Sequence, residues 1–433
     1  MTMGYDAFLS RAAEAMQQSP IRQMGTIAAQ RADLISFAPG YPGPDSFAWD
    51  EYRAITDRLL RERDGGLLQY GPTHGLRPLL ESFTDLLAGR GIQTSIDSLI
   101  VTTGSQQGLD LVARTLLDPG DVVLLELPSY TGAIAAFRNV QATLAGVRQH
   151  ADGIDLDDLQ SVLQRHRREG RKVKFLYIVP NFQNPTGSLL SRPKRRQLLE
   201  WAARENLLIV EDDPYNDLYF EDVASAADTR PIKADDREGR VIYLSSLSKT
   251  LAPAFRTAWV TAPPSYIAKL DVAKQAGDLC SSSFDQRIAY EAIKTGVLAR
   301  RIPELRRYYQ QKRTVMEQAL RRELGGLLTW PTPRGGFFLW AELPAPLDSP
   351  TVLAHALEQG VIFVVGSAFF VDGSGRQFMR LAFSLPSHAQ IDEGVTRLAV
   401  AIKALAEPRE PKPSLAGAVR QETTAGDRAS RNR

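Results

Sequence analysis

Between residues 99 and 246 the chain carries five short runs that are apolar at successive positions: LIVTTG, DVVLLELP, KFLYIVP, LLIVEDD and RVIYLSS, each bounded by Gly, Pro, Asp or Ser. Adjacent residues of a strand point to opposite faces, so runs like these have to be kept dry on both sides. Strands of a mostly parallel sheet, covered by helices on each face, meet that demand. The segments between the runs carry helix signals. SQQGLDLVARTLLDPGD opens at Ser105, sets Leu109, Val112 and Leu116 on one face and is expected to stop at Pro119-Gly120. SRPKRRQLLEWAARENL starts at Ser191 and groups Leu198, Trp201 and Ala202.

After about residue 300 the pattern changes to a long helix, then β-rich GGFFLWAELP, a helix near 350–359, VIFVVG and QFMRLAFS. A smaller α+β unit therefore follows a large α/β domain with a mostly parallel central sheet flanked by helices. The division expected is an N-terminal arm with part of the small domain over 1–45, the large domain over 46–300, the small domain over 301–405 and a disordered tail over 406–433. The tail is rich in Pro, Ser, Gly and charge and nearly free of large apolar residues.

The 433 residues suffice for a sizeable core. With 52 Lys plus Arg against 50 Asp plus Glu, the net charge of +2 sets up no field for nucleic acid or a membrane surface, and a small-molecule partner is expected. The one cysteine, Cys280, cannot form an internal disulfide and reads as structural, and the five histidines show no metal-ligand spacing, so no metal is expected. No apolar run approaches the roughly 18 residues a membrane helix needs, and MTMGYDAFLSRAAEAMQQ lacks the apolar centre of a signal peptide. A cytoplasmic protein is expected.

Ligands of open α/β sheets collect at the carboxyl ends of the strands, and several loops with unusual chemistry fall there. In TTGSQQ a strand reaches Gly104 and a helix begins at Ser105, which reads as an N-cap serine or as a phosphate cradle. YLSSLSKTLAPAFR puts hydroxyls at Ser245, Ser246 and Ser248 beside Lys249 and Arg256. This suits a solvated turn, or a phosphate next to a lysine that becomes a nucleophile on losing its charge. In LLIVEDDPY a strand delivers Glu211, Asp212 and Asp213, so that one carboxylate can aim into a site while its neighbours cap or solvate the turn. VPNFQNPTG is a turn that leaves the Asn184 amide free to donate. Neither GxxxxGK[ST] nor a strand-linked GxGxxG occurs, so a phosphate here need not belong to a nucleotide.

These segments, in the order LQYGPTHGLRPLLESF, TTGSQQGLDL, LPSYTGA, NFQNPTG, EDDPY, SLSK with Arg256, and RLAF, resemble the fold-type-I, pyridoxal-phosphate-dependent aminotransferases of class I/II. The resemblance runs from about residue 20 to 405. It is greatest to the 2-aminoadipate (LysN-type) and kynurenine/aminoadipate branch, on GSQQGLDL and PSYTGAIAAFR.

The resemblance implies that Lys249 holds pyridoxal phosphate as an imine and carries the proton between Cα and the cofactor. It implies that Asp212 pairs with the pyridine nitrogen, Asn184 and Tyr215 donate to the phenolic oxygen, and Tyr130 stacks on the ring. Ser105, Gln106, Ser246, Ser248 and Arg256 would hold the phosphate, with Tyr70 reaching it from the partner of a homodimer. Arg380 would grip the substrate α-carboxylate, assisted by Asn184 and the backbone at Gly40, and Arg22 would meet an acidic substrate's distal carboxylate. On residue type alone, Arg380 reads as a surface residue of a strand, and RGGFFLW, 334–340, as a turn into a core strand rather than a binding element. SFAPGYPGP departs from the branch: a second Gly is expected before Gly40, and an aliphatic residue in place of Tyr41.

The implied reaction moves the amino group of an L-amino acid (aminoadipate/glutamate, aromatic or branched-chain type) to a 2-oxo acid, ping-pong, through pyridoxamine phosphate. Two other readings stay open: a lyase using the same cofactor, and a ligand-sensing aminotransferase-like module. Modules of the latter kind carry a winged-helix domain ahead of the core, and about forty residues precede the core here.

Overall fold

The computed structural model describes residues 4–406 except 17, 19–23, 28, 29 and 32. In chain order its strands are β1 (Ile35–Ser36), β2 (Leu99–Thr103), β3 (Val122–Leu127), β4 (Thr143–His150), β5 (Gly153–Ile154), β6 (Val173–Ile178), β7 (Leu208–Asp212), β8 (Val241–Ser246) and β9 (Thr257–Thr261), followed by β10 (Phe338–Glu342), β11 (Val361–Ile362), β12 (Val364–Val365) and β13 (Phe378–Ala382). An eight-stranded sheet runs β2-β9-β8-β7-β6-β3-β4-β5. Its central strands pair in parallel, while β9 lies antiparallel to both β2 and β8, and β5 antiparallel to β4.

Alternation along each strand distributes the apolar runs between two cores. Val123, Leu125, Phe175, Tyr177, Val210 and Ile242 join one cluster with Leu109 and Val112 of helix Ser105–Leu116 and Phe137 of helix Thr131–Asn139. Their neighbours Val122, Leu124, Leu176, Ile178, Ile209 and Val241 join another with Leu159 and Leu163 of helix Leu156–Arg168 and Leu198 and Trp201 of helix Arg192–Glu205. Each face is thereby covered, as a parallel sheet requires.

The carboxyl ends of β2, β3, β6, β7 and β8 share one edge of this sheet. Because β9 runs the other way, Arg256 just before it reaches that same edge. A second layer closes over the edge. Strands β10-β13-β12 form an antiparallel sheet, β1 pairs in parallel with β11, and helices Val297–Leu324 and His388–Ala406 pack around them. Beyond β1 the chain runs along β13, where the Ala382 amide donates to Phe37 (2.8 Å), and arrives at Gly40. A Cβ on Gly40 would stand 2.5 Å from Phe338 Cζ, so only glycine allows this approach.

β4 and β9 are absent from the sequence reading. β4 has one half-exposed face and contains Gly146, and β9 is a five-residue strand flanked by threonines, so neither forms a continuous apolar run. Helix Ser105–Leu116 ends before Pro119-Gly120, because Leu117 is already extended. The tail from residue 407 onward lies outside the described residues. Among the described residues no helix is long and apolar enough to cross a membrane.

Candidate active site

The strand edge and the layer above it enclose a cavity of about 400 Å³. Gly40, Ser105, Gln106, Tyr130, Asn184, Asp212, Tyr215, Ser246, Ser248, Lys249, Arg256 and Arg380 all line it. Of the two others named with them in the sequence, Tyr70 is not among the lining residues. It is 79% exposed on this chain, and Arg22 lies outside the described residues.

At one end of the cavity, helix Ser105–Leu116 begins without a side-chain cap. Gly104, at φ 77°, is the N-cap, and Ser105 is the first helical residue, which corrects the N-cap reading of that serine. The helix leaves its first N–H groups and the positive end of its dipole facing the cavity. A Cβ at Gly104 would come within 2.2 Å of Arg256 Nη2, so the glycine makes room for the guanidinium. Arg256 donates to the Thr103 carbonyl (3.2 Å), and Ser246 Oγ donates to Ser248 Oγ (2.7 Å). This end gathers donors and positive charge.

The acidic triplet at the end of β7 separates by face. Glu211 accepts from the Ile232 and Lys233 amides, both at 2.8 Å. Asp213 accepts from Asn181 Nδ2 (2.8 Å), Asn216 Nδ2 (2.9 Å) and Tyr243 Oη (3.0 Å). Both are fully buried rather than solvated, a correction to their reading as turn residues. Asp212 points the other way. Its Oδ2 accepts from Tyr177 Oη (2.9 Å), while Oδ1 is buried with no partner. Burial pushes the Asp212 carboxyl up to about 7, with the Tyr177 hydrogen bond opposing and the Asp213 charge adding to the rise.

Lys249 is half-buried, and its Nζ donates to the Gly40 carbonyl (2.9 Å). Burial first, then the positive charges of Arg380 and Arg256, lower it to about 8 against the pull of Asp212. Neutral amine, the form that attacks a carbonyl, is therefore accessible near neutral pH.

Arg380 on β13 is 1% exposed, not at the surface. Its Nη1 donates to Asn184 Oδ1 (2.7 Å) and its Nη2 to the Ala38 carbonyl, and Nε is buried without a partner. Among the described residues no carboxylate pairs with it, and burial lowers it to about 10. The rings of Phe338 (4.4 Å) and Phe369 (5.0 Å) flank the guanidinium. Since Asn184 accepts through its oxygen, its amide nitrogen remains for the cavity.

Phe338 lines the cavity and Phe337 lies 5.5 Å from Lys249 Nζ, so RGGFFLW contributes to the site as well as to the core. Nothing local in that segment signals this. The cavity wall is made by a long-range return of the chain. Tyr41 lines the mouth and is 47% exposed.

An orphaned carboxylate oxygen, an uncapped helix N-terminus beside serines and an arginine, and a lysine of lowered basicity fit pyridoxal phosphate. That group brings a ring N–H, a phosphate and a carbonyl. Such a site on such a sheet defines a pyridoxal-phosphate-dependent transferase of fold type I. The family model for aminotransferase class I and II matches residues 44–398, and the chain belongs to that family.

The chain is 38% identical to aromatic-amino-acid aminotransferase 1 of Thermococcus litoralis, covering 93% of this chain and 95% of the relative. A solved Pyrococcus horikoshii kynurenine aminotransferase, in complex with PMP, is 37% identical at a TM-score of 0.87, covering 93% of this chain and 98% of that one. LysN, the α-aminoadipate aminotransferase of Thermus thermophilus, solved with N-(5'-phosphopyridoxyl)-L-leucine, is 37% identical at a TM-score of 0.85, covering 93% and 99%. This chain is a pyridoxal-phosphate-dependent aminotransferase that moves an amino group from an L-amino acid to a 2-oxo acid.

Proposed function

We propose that Lys249 holds the cofactor and is the catalytic base, and that Asp212 pairs through its orphaned Oδ1 with the pyridine nitrogen. When bound, pyridoxal phosphate supplies a ring that takes up the electron pair left as Cα loses its proton. Lys249 Nζ, as a neutral amine, would take that proton from Cα and carry it to C4′ of the cofactor, ending the half-reaction neutral again. Asn184 Nδ2 and Tyr215 Oη donate to the phenolic oxygen, and Tyr130 covers the ring. Ser105, Gln106, Ser246, Ser248 and Arg256 hold the phosphate against the helix N-terminus.

Arg380 receives the substrate α-carboxylate. The observation that carries this assignment is a buried guanidinium with an orphaned Nε and no acidic partner among the described residues. A carboxylate arriving there supplies the missing counter-charge, with the backbone at Gly40 assisting. Arg22 is kept as a candidate for a distal carboxylate.

For the amino donor we propose aminoadipate/glutamate, aromatic or branched-chain acids, in keeping with the names of the relatives. Tyr41 at the mouth and the buried ring of Phe338 in the wall suit the larger side chains. We further propose a homodimer in which Tyr70 reaches the partner's phosphate site, which is supported by the exposure of Tyr70 and of Leu68 (78%) beside it. The large and small domains are proposed to divide at 46–300 and 301–405.

The test is an absorbance titration of the purified, cofactor-loaded protein with a panel of L-amino acids, in parallel with Lys249→Ala. The expected outcome is loss of the visible band with stoichiometric oxo acid in the wild type, and a fall of at least about 10⁴-fold in that rate in the variant. Full turnover by Lys249→Ala would remove the lysine from the mechanism. A panel in which no amino acid bleaches the wild type would overturn the reading of the site.

A further inference from the structure

Tyr177 lies on β6 directly opposite Val210 of β7, so it shares the sheet face of Val210 and of Asp212 two residues on. Its side chain is fully buried, with the ring of Phe137 edge-on at 5.5 Å. The hydroxyl donates to Asp212 Oδ2 at 2.9 Å. The bond occupies one oxygen of a carboxylate whose other oxygen has no partner. A carboxylate on two single-bond rotors, held at one oxygen, has its second oxygen fixed in direction as well.

We infer that Tyr177 is a positioning residue for the reaction: its hydroxyl orients the Asp212 carboxylate and favours its ionised form, so that Oδ1 is turned towards the ring nitrogen of the cofactor. The bond runs from a neutral donor to the charged form of the acid and therefore favours that form. Burial and Asp213, the next residue, work against it. The other titratable or charged groups around this side of the cavity and around Tyr177 are Lys249 after β8, Tyr215 after β7, Tyr130 after β3, Arg256 before β9, Arg380 on β13 and the buried Glu126 on β3. Lys249 is the cation among them that acts on Asp212. Tyr177 is thus the hydrogen-bond donor that holds the carboxylate before any cofactor arrives.

Two consequences are measurable without turnover. Replacing the hydroxyl removes a hydrogen bond to a charged group, which weakens cofactor binding by about tenfold or more. It also leaves less positive charge on the cofactor ring, so the Lys249 nitrogen in the loaded enzyme keeps its proton to higher pH. The midpoint of the pH-dependent visible spectrum then moves up by roughly half a unit or more.

This inference rests on the pairing of Asp212 with the ring nitrogen, and the experiment separates the two. The cofactor dissociation constant and the spectral midpoint are measured for wild type, Tyr177→Phe, Asp212→Asn and the double variant, with Tyr177→Met as a second hydroxyl-free variant should Tyr177→Phe not fold. The expected result is both shifts in the hydroxyl-free variant, and no further shift when it is added to Asp212→Asn. If Asp212→Asn alone leaves both quantities unchanged, the pairing itself fails. If Asp212→Asn shifts them and a folded hydroxyl-free variant does not, or does so equally in the Asp212→Asn background, Tyr177 has only a packing role and the inference is overturned.

Discussion

Asp212 and Asp213 are neighbours in the chain and both are buried, yet they live in opposite kinds of surroundings. Behind the sheet edge, Asp213 belongs to a network in which each charge has a partner. Asn181, Asn216 and Tyr243 donate to it, and Arg90 donates in turn to Tyr243 (3.0 Å) and pairs with Asp217 (2.6 Å). In front of the edge, Asp212 has a free oxygen, and among the described residues no carboxylate pairs with Arg380. The same contrast separates two guanidiniums: Arg313, as buried as Arg380, pairs with Asp222 and Glu317. Polar groups that satisfy one another hold a fold together. Groups left without a protein partner in a cavity hold free energy in reserve for a ligand.

The contrast breaks most sharply at Arg380. Arg380→Lys keeps the charge but loses the fork, and kcat/KM for the amino donor is expected to fall about 10²–10³-fold with little change in the melting temperature of the apo-protein. A large drop in that temperature with intact kcat/KM would place Arg380 with the structural group. Behind the edge, Asp213→Ala strands several buried donors and is expected to cost about 3 kcal/mol of stability in denaturant unfolding. An Asp213→Ala protein as stable as wild type would abolish the distinction.

A subtler test is the pH dependence of apo-protein stability. The Asp212 carboxyl titrates at about 7 when folded and near 3.8 when unfolded, so between those values the unfolded chain gives up a proton that the folded one retains. Ionisation therefore favours the unfolded state as pH rises through that window. Apo Asp212→Asn should equal wild type near pH 4 and exceed it at pH 8, and curves that stay parallel from pH 4 to 8 would contradict the assigned burial. The smallest effect concerns Lys249. Covalent capture of pyridoxal phosphate by the apo-protein should speed up with pH and level off above about 8, because the neutral amine is then fully populated. A rate still climbing towards pH 10 would mean that burial and the neighbouring arginines leave the lysine unperturbed.

Much of this was legible in the sequence because the parallel strands are apolar on both faces, and because the loops after β2, β6, β7 and β8 each carry their chemistry in a few consecutive residues. Lys249, Asp212, Asn184 and the serines are found in that way. What eluded the sequence depends on distance along the chain. Burial of Arg380 arises from the layer over the sheet edge, not from FMRLAF itself, and Phe338 becomes a wall only where Gly40 lets the chain pass close. Tyr177 reads as one more apolar residue of KFLYIVP, since its partner lies on the next strand. The half-exposed β4 and the short β9 lack the pattern that betrays their neighbours. In the sequence Ser105 fits either a cap or a phosphate cradle, and it is the structure that makes Gly104, at φ 77°, the N-cap.

The contacts that finish the cavity join residues far apart in the order of synthesis. Lys249 reaches back to Gly40, and Arg380 reaches back to Asn184 and Ala38. A nascent chain that has emerged past Arg256 already contains the lysine, the carboxylate and the serines proposed to hold the cofactor, but the guanidinium proposed to receive the substrate waits for β13. The groups proposed for cofactor capture and for substrate discrimination therefore enter the chain at different moments. A ribosome stalled between residues 256 and 380 would hold a chain with the groups for the first and without the guanidinium for the second.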